Sequence, residues 1–408
     1  MNKKIQRTIQ ALLSLIFLLG GLCRAQADKP SQAGQKVSVE ASEIDVSSFP
    51  RFTGWLDKSG RNPVDYFVDA CRKHELVIVG EQHYIKDYCE LFKQALPAVY
   101  EKAGVRVVAL EVCNAESNEK IARLIEGDRY DEALAYEIAR AENWGLWGYK
   151  EYWDILEAVW SLNRSLPAGQ EHMRVVGIDR EMDYQLDSLW RADKLKDQVL
   201  IEKAKNQPDI YKRDDWLAEN IEKGILAKGA RGIVLVGLNH SFTHYAQPII
   251  DKEGKLKSEW PRMGNILYQK YGEKIFQIGL HGPYQSPAQI DKTYKGEGPL
   301  WSDLIEKIMV ARGNRPVGFD VVGSPFAVVR DSRSYYFHWQ PKVTFADLNR
   351  GFIFLKPVKA LEPCSWMKDF VSDEMFEKSR DFYEFSYGRK FKDSREVNEF
   401  FESGLKTL

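Results

Sequence analysis

Seven short apolar runs, separated by longer stretches with helical spacing, constrain the fold of this chain most strongly. The runs lie at residues 76–79, 105–112, 174–178, 232–236, 274–280, 317–322 and 352–355. Apolar runs of this length that do not alternate with polar residues are typical of strands buried on both faces. The repeated order of strand, helix and strand predicts an α/β fold, with a largely parallel central sheet, helices on both faces and a helical cap or second lobe.

Changes in composition along the chain predict its division into segments. Residues 28–61 are rich in Ser, Lys, Gln and Gly with little periodicity, and we expect a linker that is extended or poorly ordered. Residues 62–356 should form the α/β domain. Two charged stretches within it, 114–165 and 181–228, have helical spacing and are predicted to be helical insertions. Residues 357–408 are predicted to be a C-terminal helical extension.

Residues 1–27 have the pattern of a secretory signal peptide. Basic residues are followed by an apolar run from Ala11 to Leu19 and by the small-residue motif Ala25-Gln26-Ala27. The run is shorter than the roughly 20 residues that span a bilayer. We therefore expect export to the periplasm or the outside of the cell, with no membrane span after cleavage, and lipidation at Cys23 is the less favoured alternative.

The charge of the mature chain argues against a nucleic-acid partner. Residues 1–27 contain four of the 58 Lys and Arg residues, so 54 remain against 59 Asp and Glu, a formal charge of −5. The four cysteines after residue 27 are spaced too widely for a CxxC metal site, and their number leaves one or two disulfides open. They are Cys71, Cys89, Cys113 and Cys364.

Ionisable side chains follow four of the predicted strands at the same end. In chain order they are Glu81 and His83, then Glu111, then Asp179 and Arg180, then His240 with His244. Ligands of open parallel sheets bind beyond the carboxyl ends of the strands, where the loops diverge. The convergence of acids and imidazoles there predicts a functional site, although a single histidine after a strand is more often a cap or surface residue.

Two kinds of chemistry fit these residues. A carboxylate beside an imidazole can orient it as a general base, which makes His83, Glu81, Glu111 and His240 the candidate catalytic residues. The same four side chains could instead hold a divalent metal ion. A second set is predicted to contact substrate, namely Asp179, Arg180, Arg213 and His244. Arg213 could alternatively pair with Asp214.

An aromatic stretch precedes the third predicted strand. It contains Trp144, Trp147, Tyr149, Tyr152, Trp153 and Trp160. These side chains could form one wall of a pocket for an apolar or ring-containing ligand, but a packed helix interface is the favoured interpretation. No G-x-S-x-G, H-E-x-x-H or Walker motif is present, so the usual support for serine hydrolase, zincin and nucleotidase functions is lacking.

The strand-end motifs together resemble the erythromycin esterase-like proteins, which belong with the ChaN-like haem-binding proteins and the Tiki proteases in one superfamily. The resemblance covers roughly residues 62–356. The motifs are Gly80-Glu81-Gln82-His83, Leu110-Glu111, Gly177-Ile178-Asp179, Arg213-Asp214 with Ala218-Glu219-Asn220, and Gly237-Leu238-Asn239-His240.

The resemblance implies functional roles for His83, His240, Glu81 and Glu111. Members of the superfamily differ in chemistry, since they are considered to use a histidine that activates water, a divalent metal or bound haem. The sequence therefore supports an exported hydrolase of an ester, lactone or amide that acts on a small molecule or a peptide. In one version of this hypothesis a metal assists the reaction. The alternative is a protein that binds haem or an iron complex for uptake.

Overall fold

The computed structural model describes residues 38–141, 147–251, 253–283 and 301–405. The predicted signal peptide, residues 28–37 of the predicted linker and Trp144 lie outside these ranges. In chain order the strands are β1 (Val39–Glu40), β2 (Leu76–Glu81), β3 (Val105–Asn114), β4 (Arg174–Asp179), β5 (Arg231–Gly237), β6 (Gln247–Ile250), β7 (Leu256–Trp260), β8 (Ile275–Leu280), β9 (Val317–Asp320), β10 (Val329–Arg330) and β11 (Gly351–Phe354).

The α-helices, also in chain order, cover both the predicted domain and its flanks. They are α1 (Phe49–Ser59), α2 (Pro63–Lys73), α3 (Lys86–Ala103), α4 (Asn118–Glu126), α5 (Glu132–Ala141), α6 (Lys150–Ser165), α7 (Tyr184–Arg191), α8 (Gln198–Lys205), α9 (Arg213–Gly224), α10 (Leu238–Ser241), α11 (Met263–Tyr271), α12 (Trp301–Ala311), α13 (Tyr335–His338), α14 (Phe345–Leu348), α15 (Asp373–Tyr387) and α16 (Ser394–Leu405). Among the described residues, none of the helices combines the length and the apolar character that a bilayer crossing requires.

Seven strands form one sheet in the order β4-β3-β5-β2-β8-β11-β9. Neighbouring strands run parallel except at one edge, where β9 is antiparallel to β11. Each of the seven predicted apolar runs forms one of these strands. The predicted fold class, a largely parallel sheet with helices on both faces, is confirmed.

Alternate side chains of each central strand enter different hydrophobic cores. On β2, Val77 and Val79 pack in the core that contains helices α2 and α3. Leu76 and Ile78 face the other side, where they join residues of α9 and α11. Because successive residues of a strand point to opposite faces, a run that is apolar throughout is the expected sequence for a strand covered on both sides.

Helix α2 shows how local sequence sets an element boundary. Asn62 is the N-cap, and its side-chain Oδ1 accepts a hydrogen bond from the backbone N–H of Val64 at 3.0 Å. Pro63 occupies the first helical position, where the missing N–H costs nothing. In helix α3, by contrast, Pro97 lies inside a helix that is continuous from Lys86 to Ala103.

The prediction of an extended or poorly ordered arm at residues 28–61 is wrong for the described part. Strand β1 pairs in parallel with β10, and helix α1 packs through Phe52 and Leu56 into a core that also contains Phe319 and Phe326. The ring centroids of Phe52 and Phe326 are 4.8 Å apart. The apolar residues of α1 lie within a stretch of polar composition, so the sequence did not indicate a helix there. Packing against the rest of the domain stabilises this short helix.

The two predicted insertions differ in where they pack. Residues 114–165 contain α4, α5 and α6, whose apolar faces belong to the same core as one face of the sheet. Residues 181–228 contain α7, α8 and α9, of which α9 contacts strand β4 most closely. The C-terminal residues 357–408 begin with a segment that is mostly not helical and continue into α15 and α16.

Replacing Leu56 by alanine tests the packing of α1. Leu56 is fully buried, so we expect Leu56→Ala to lower the free energy of unfolding by about 2–5 kcal/mol, measured by urea denaturation. Val46, which is 74% exposed in the same part of the chain, is the control, and Val46→Ala should change stability by less than about 0.5 kcal/mol. Equal, negligible effects of both changes would show that α1 does not pack on the domain.

Candidate functional site

The carboxyl ends of β4, β3, β5 and β2 lie side by side at one rim of the sheet, because these strands are consecutive in the sheet order. Glu81 at the end of β2 is in register with Gly237 at the end of β5. Glu111 lies near the end of β3, and Asp179 ends β4. The polar residues predicted to converge from separate strands are therefore neighbours.

His83 and Glu81 form a hydrogen-bonded pair. The Nδ1 atom of His83 is 2.5 Å from Oε1 of Glu81. Because a carboxylate oxygen accepts, Nδ1 carries the proton and donates it, which leaves the lone pair of Nε2 to accept another proton. Glu81 is 2% exposed, whereas the side chain of His83 is 16% exposed and so retains contact with solvent.

The electrostatics of this pair favour the charged imidazole. Burial lowers the pKa of His83, but the charge of Glu81 and its hydrogen bond, helped by Glu111, outweigh burial, and the pKa is raised above its ordinary value. The second carboxylate oxygen of Glu81, Oε2, is buried and has no hydrogen-bond partner among the described residues. A buried acceptor in that condition is a place for a donor such as water or a substrate hydroxyl.

Two glycines bring the G-x-x-H segments into contact. A Cβ atom on Gly237 would lie 2.8 Å from Nε2 of His83 and 3.4 Å from Oε2 of Glu111. A Cβ atom on Gly80 would lie 2.2 Å from Oγ of Ser241, which follows the second motif. Each motif thus supplies a glycine that makes room for the other, and Nε2 of His83 faces the end of β5.

A buried arginine connects three strand ends. The guanidinium of Arg213, at the start of α9, donates from Nη2 to Glu111 Oε1 and to Asp179 Oδ2, each at 2.7 Å. Its Nε donates to Asp179 Oδ2 at 3.0 Å, and its Nη1 is 3.0 Å from Nε2 of His240. Arg213 is 5% exposed, so this cation is paired inside the protein with Glu111 and Asp179.

His240 is held at both ring nitrogens. Its Nδ1 is 2.6 Å from Oδ1 of Asp214, and its Nε2 faces the guanidinium of Arg213. Because a guanidinium only donates, Nε2 accepts and Nδ1 carries the proton. Asp214 also accepts from the backbone N–H of Met263 at 2.8 Å and from Nη1 of Arg262 at 3.0 Å. His240 consequently lies in a buried framework, with no free N–H for a developing oxyanion.

Glu111 is kept ionised by its surroundings. Burial raises the pKa of its carboxyl, but the charge of Arg213 and the 2.5 Å hydrogen bond from the backbone N–H of Gly237, with contributions from the imidazoles of His240 and His83, overcome that effect. The result is a pKa of about 2. Both oxygens of Glu111 are engaged, one by Arg213 and one by Gly237, so this carboxylate stabilises the site as a fixed negative charge.

Aromatic side chains cover one side of His83. Trp147 contacts the imidazole edge-on, with ring centroids 4.8 Å apart, and Tyr84 and Tyr149 pack against Trp147. The four described residues from Trp147 to Trp153 in the predicted aromatic stretch are buried, while Trp160 is partly buried against other helices. The stretch is thus a packed interface that also borders the candidate site.

The backbone next to His83 is unusual. Tyr84 has a φ of 75°, a left-handed conformation that is uncommon for a residue with a bulky side chain. The Tyr84 N–H donates to the hydroxyl of Tyr152 at 3.2 Å, and its carbonyl accepts from the N–H of Cys364 at 2.8 Å. These contacts hold a strained residue in place beside a reactive one, a combination found at functional sites.

We name residues 356–367 the C-terminal strap, because they bind both the loop after His83 and the loop before α6. Lys86 N–H donates to the carbonyl of Glu362 at 2.9 Å. Ser365 donates from its backbone and hydroxyl to the buried carboxylate of Glu151, at 2.7 and 2.9 Å, and Met367 N–H donates to the carbonyl of Gly148 at 2.7 Å. The C-terminal extension therefore supports the candidate site.

Two predicted site residues lie outside the buried cluster. Arg180 is exposed, and its guanidinium lies 5.4 Å from the ring centroid of Trp216. His244 is exposed and packs on Tyr268, since α10 ends at Ser241 and does not carry His244 onto the face of His240. The structure brings together Glu81, His83, Glu111, Asp179, Arg213 and His240 and leaves Arg180 and His244 at the surface.

The polar cluster does not fit a divalent metal. In the part of the chain that the structure describes, no three His, Cys, Asp or Glu side chains are arranged to hold a metal ion. Nδ1 of His83 is hydrogen-bonded to Glu81, both nitrogens of His240 are occupied, and both oxygens of Glu111 are engaged. A metal at this place would have to displace the positively charged Arg213.

Two framework residues were not predicted from the sequence. Asp214 was quoted only as part of a motif and as a possible partner of Arg213, yet it positions His240. Arg262 precedes α11 and reaches Asp214 from a loop that carries no motif, so its role has no signal in the sequence. Gln247 accepts from Nε of Arg262 at 2.8 Å and completes the buried chain of contacts.

The chain is similar to several solved structures. A succinoglycan biosynthesis protein shares 10% identity over 80% of this chain and 100% of its own, with a TM-score of 0.51. A mutant of erythromycin esterase EreC in its open conformation shares 12% identity over 72% of this chain and 96% of its own, with a TM-score of 0.46. ChaN of Campylobacter jejuni, described with cofacial heme binding, shares 14% identity over 56% and 88%, with a TM-score of 0.33.

These likenesses concern the fold. The likeness to the succinoglycan biosynthesis protein agrees with the α/β fold described above. No protein-family model matches the chain, and no curated protein matches its sequence.

The ionised state of Glu111 predicts a loss of stability in acid. A carboxyl with a pKa of about 2 when folded and an ordinary value of 4.5 when unfolded contributes about 3 kcal/mol at neutral pH. Since the folded pKa is lowered, that contribution is complete above pH about 5 and is lost as the pH falls towards 2. Urea unfolding at pH 7, 5, 4 and 3 should show this loss in the wild type, and Glu111→Gln should flatten it.

The control for this experiment is Glu119→Gln, which removes an exposed carboxylate from α4. It should leave the acid dependence of unfolding unchanged. An identical slope in the wild type and in Glu111→Gln would contradict the fixed charge assigned to Glu111.

Proposed function

We propose that this protein is an exported hydrolase that cleaves an ester, lactone or amide with water activated by His83. The observation that supports this most directly is the Glu81–His83 pair, in which Nδ1 is fixed as a donor, Nε2 is left to accept a proton and the side chain as a whole is 16% exposed. The motif resemblance to erythromycin esterase-like proteins supports the same class of reaction. Export is part of the proposal and rests on the sequence of residues 1–27.

The proposed reaction uses each group in one role. Nε2 of His83 removes a proton from water while the water oxygen adds to the carbonyl carbon, and the protonated imidazole then gives that proton to the leaving oxygen or nitrogen. Glu81 stabilises the imidazolium through Oε1, and its buried Oε2 can accept a hydrogen bond from the attacking water. Glu111 adds a second negative charge near the imidazole, which favours its protonated form.

The framework residues act at a distance from the reacting atoms. Arg213 holds Glu111 and Asp179, and His240 with Asp214 holds Arg213, so these residues keep the strand ends at a fixed separation. They are positioning residues in this proposal. Of the four side chains predicted from sequence to contact substrate, Asp179 and Arg213 are part of this framework, and Arg180 and His244 are exposed.

Hydrolysis of p-nitrophenyl esters, a lactone panel and aryl amides tests the proposal. His83→Gln should lower kcat/KM by about 10²–10⁴-fold on whichever substrate the wild type hydrolyses, because the general base is lost. Glu81→Gln should remove the charge that raises the pKa of His83, so the acidic limb of the pH–rate profile should move to lower pH. NMR titration of the His83 ring provides the same comparison without a substrate.

The matched control is His172→Gln. His172 also has a carboxylate partner, Glu126 at 2.7 Å, but this pair lies on the surface, with side chains 40% and 47% exposed. Its loss should leave activity unchanged. The hydrolase proposal fails if His83→Gln retains wild-type activity on every hydrolysed substrate. If no substrate is cleaved and added hemin gives a Soret band that His83→Gln abolishes, the haem-binding alternative replaces it.

Metal removal separates the two versions of the hydrolase hypothesis. Because no three His, Cys, Asp or Glu side chains of the described residues are arranged to hold a metal ion, we expect exhaustive chelation followed by gel filtration to leave at least about half of the activity, with no gain on adding Zn²⁺, Mg²⁺ or Mn²⁺. Metal content of the active protein is measured in parallel. Loss of activity that one added metal restores would establish the metal-assisted version and would require Arg213 to move.

A further inference from the structure

The C-terminal strap and helix α3 meet beside the candidate site through backbone contacts. Ile85 and Pro363 form an antiparallel bridge, and the N–H of Cys364 donates to the carbonyl of Tyr84 at 2.8 Å. Helix α3 begins at Lys86, directly after the bridge, and Cys89 lies in its first turn. Residues that are far apart in the chain are therefore fixed next to each other.

This arrangement brings two thiols near each other. The thiols of Cys89 and Cys364 are close enough to influence each other, and both are free and buried, at 0% and 2% exposure. They share one hydrophobic core with residues of α3 and α6. Burial raises the pKa of both thiols, so in the folded, reduced state neither is a reactive thiolate at neutral pH.

We infer that Cys89 and Cys364 are a disulfide site, oxidised as the exported chain folds, which fastens the C-terminal strap to helix α3. In the first step one thiolate attacks a disulfide donor, such as oxidised glutathione, and forms a mixed disulfide while one donor thiol leaves. In the second step the other cysteine attacks the protein sulfur of that mixed disulfide, and the second donor thiol leaves. Two protein thiols are oxidised and one donor disulfide is reduced to two thiols, so atoms and electrons balance.

A disulfide between Cys89 and Cys364 would restrict movement of the backbone beside the candidate site. The bond would lie a few residues from Tyr84, whose left-handed backbone follows His83, and from Ser365, which holds Glu151. It would close a loop that contains six of the seven strands of the sheet, which restricts the unfolded chain strongly. Once formed, the bond would be buried and protected from reductants, so it is a structural lock that forms during folding.

Non-reducing peptide mapping of the full chain tests the inference without any variant. The protein is refolded from urea in a mixture of reduced and oxidised glutathione, alkylated with iodoacetamide and digested without reduction. We expect a Cys89–Cys364 linked peptide as the main disulfide, with alkylated Cys71 and Cys113. Alkylation of both Cys89 and Cys364, glutathione adducts at either of them, or a different main pairing would overturn the inference.

Thermal unfolding measures the mechanical effect of the bond. Wild-type protein that is unfolded and refolded in dithiothreitol, and so is reduced, should have a Tm about 5–10 °C below that of the oxidised wild type. Cys71→Ser, at another buried cysteine of the same core, should show the same shift, and the double variant Cys89→Ser with Cys364→Ser should show none. A shift of equal size in the double variant would assign the effect to other groups.

Discussion

The structure of the rim depends on one buried cation. Arg213 joins the ends of β3 and β4 through Glu111 and Asp179, and it approaches His240 at the end of β5. Removing one partner of such a buried pair costs about 3–5 kcal/mol, because the remaining charge stays in a medium of low dielectric constant. The same cost makes the arrangement specific, since no other registration of these strand ends would pair every charge.

Room for the two histidine motifs comes from the absence of side chains. Gly237 leaves space for the His83 ring, and Gly80 leaves space for Ser241 beyond the second motif. Side chains at either glycine would separate β2 from the residues after β5. The short motifs are therefore a packing requirement as well as a chemical one, which explains why two similar four-residue patterns occur on neighbouring strands.

The two histidines have different environments despite similar motifs. His83 has one nitrogen bound to Glu81 and the other beside Gly237, and its side chain is partly exposed. His240 is 2% exposed and has both nitrogens engaged. The sequence could show that both follow strands, but the difference between them is set by Asp214 on α9 and by the guanidinium that faces Nε2. Asp214 and Arg213 lie 26 and 27 positions before His240 in the chain.

The sequence by itself determined the sheet strands and the rim on which Glu81, Glu111, Asp179 and His240 collect, because a buried parallel strand requires a continuous apolar run and these polar residues lie at or just beyond the carboxyl end of such a run. It did not determine the packing of α1 or the position of Arg262, since each depends on partners distant in the chain. Only the tertiary structure decided which imidazole keeps an available nitrogen, because hydrogen-bond partners follow from three-dimensional proximity, which local sequence does not encode.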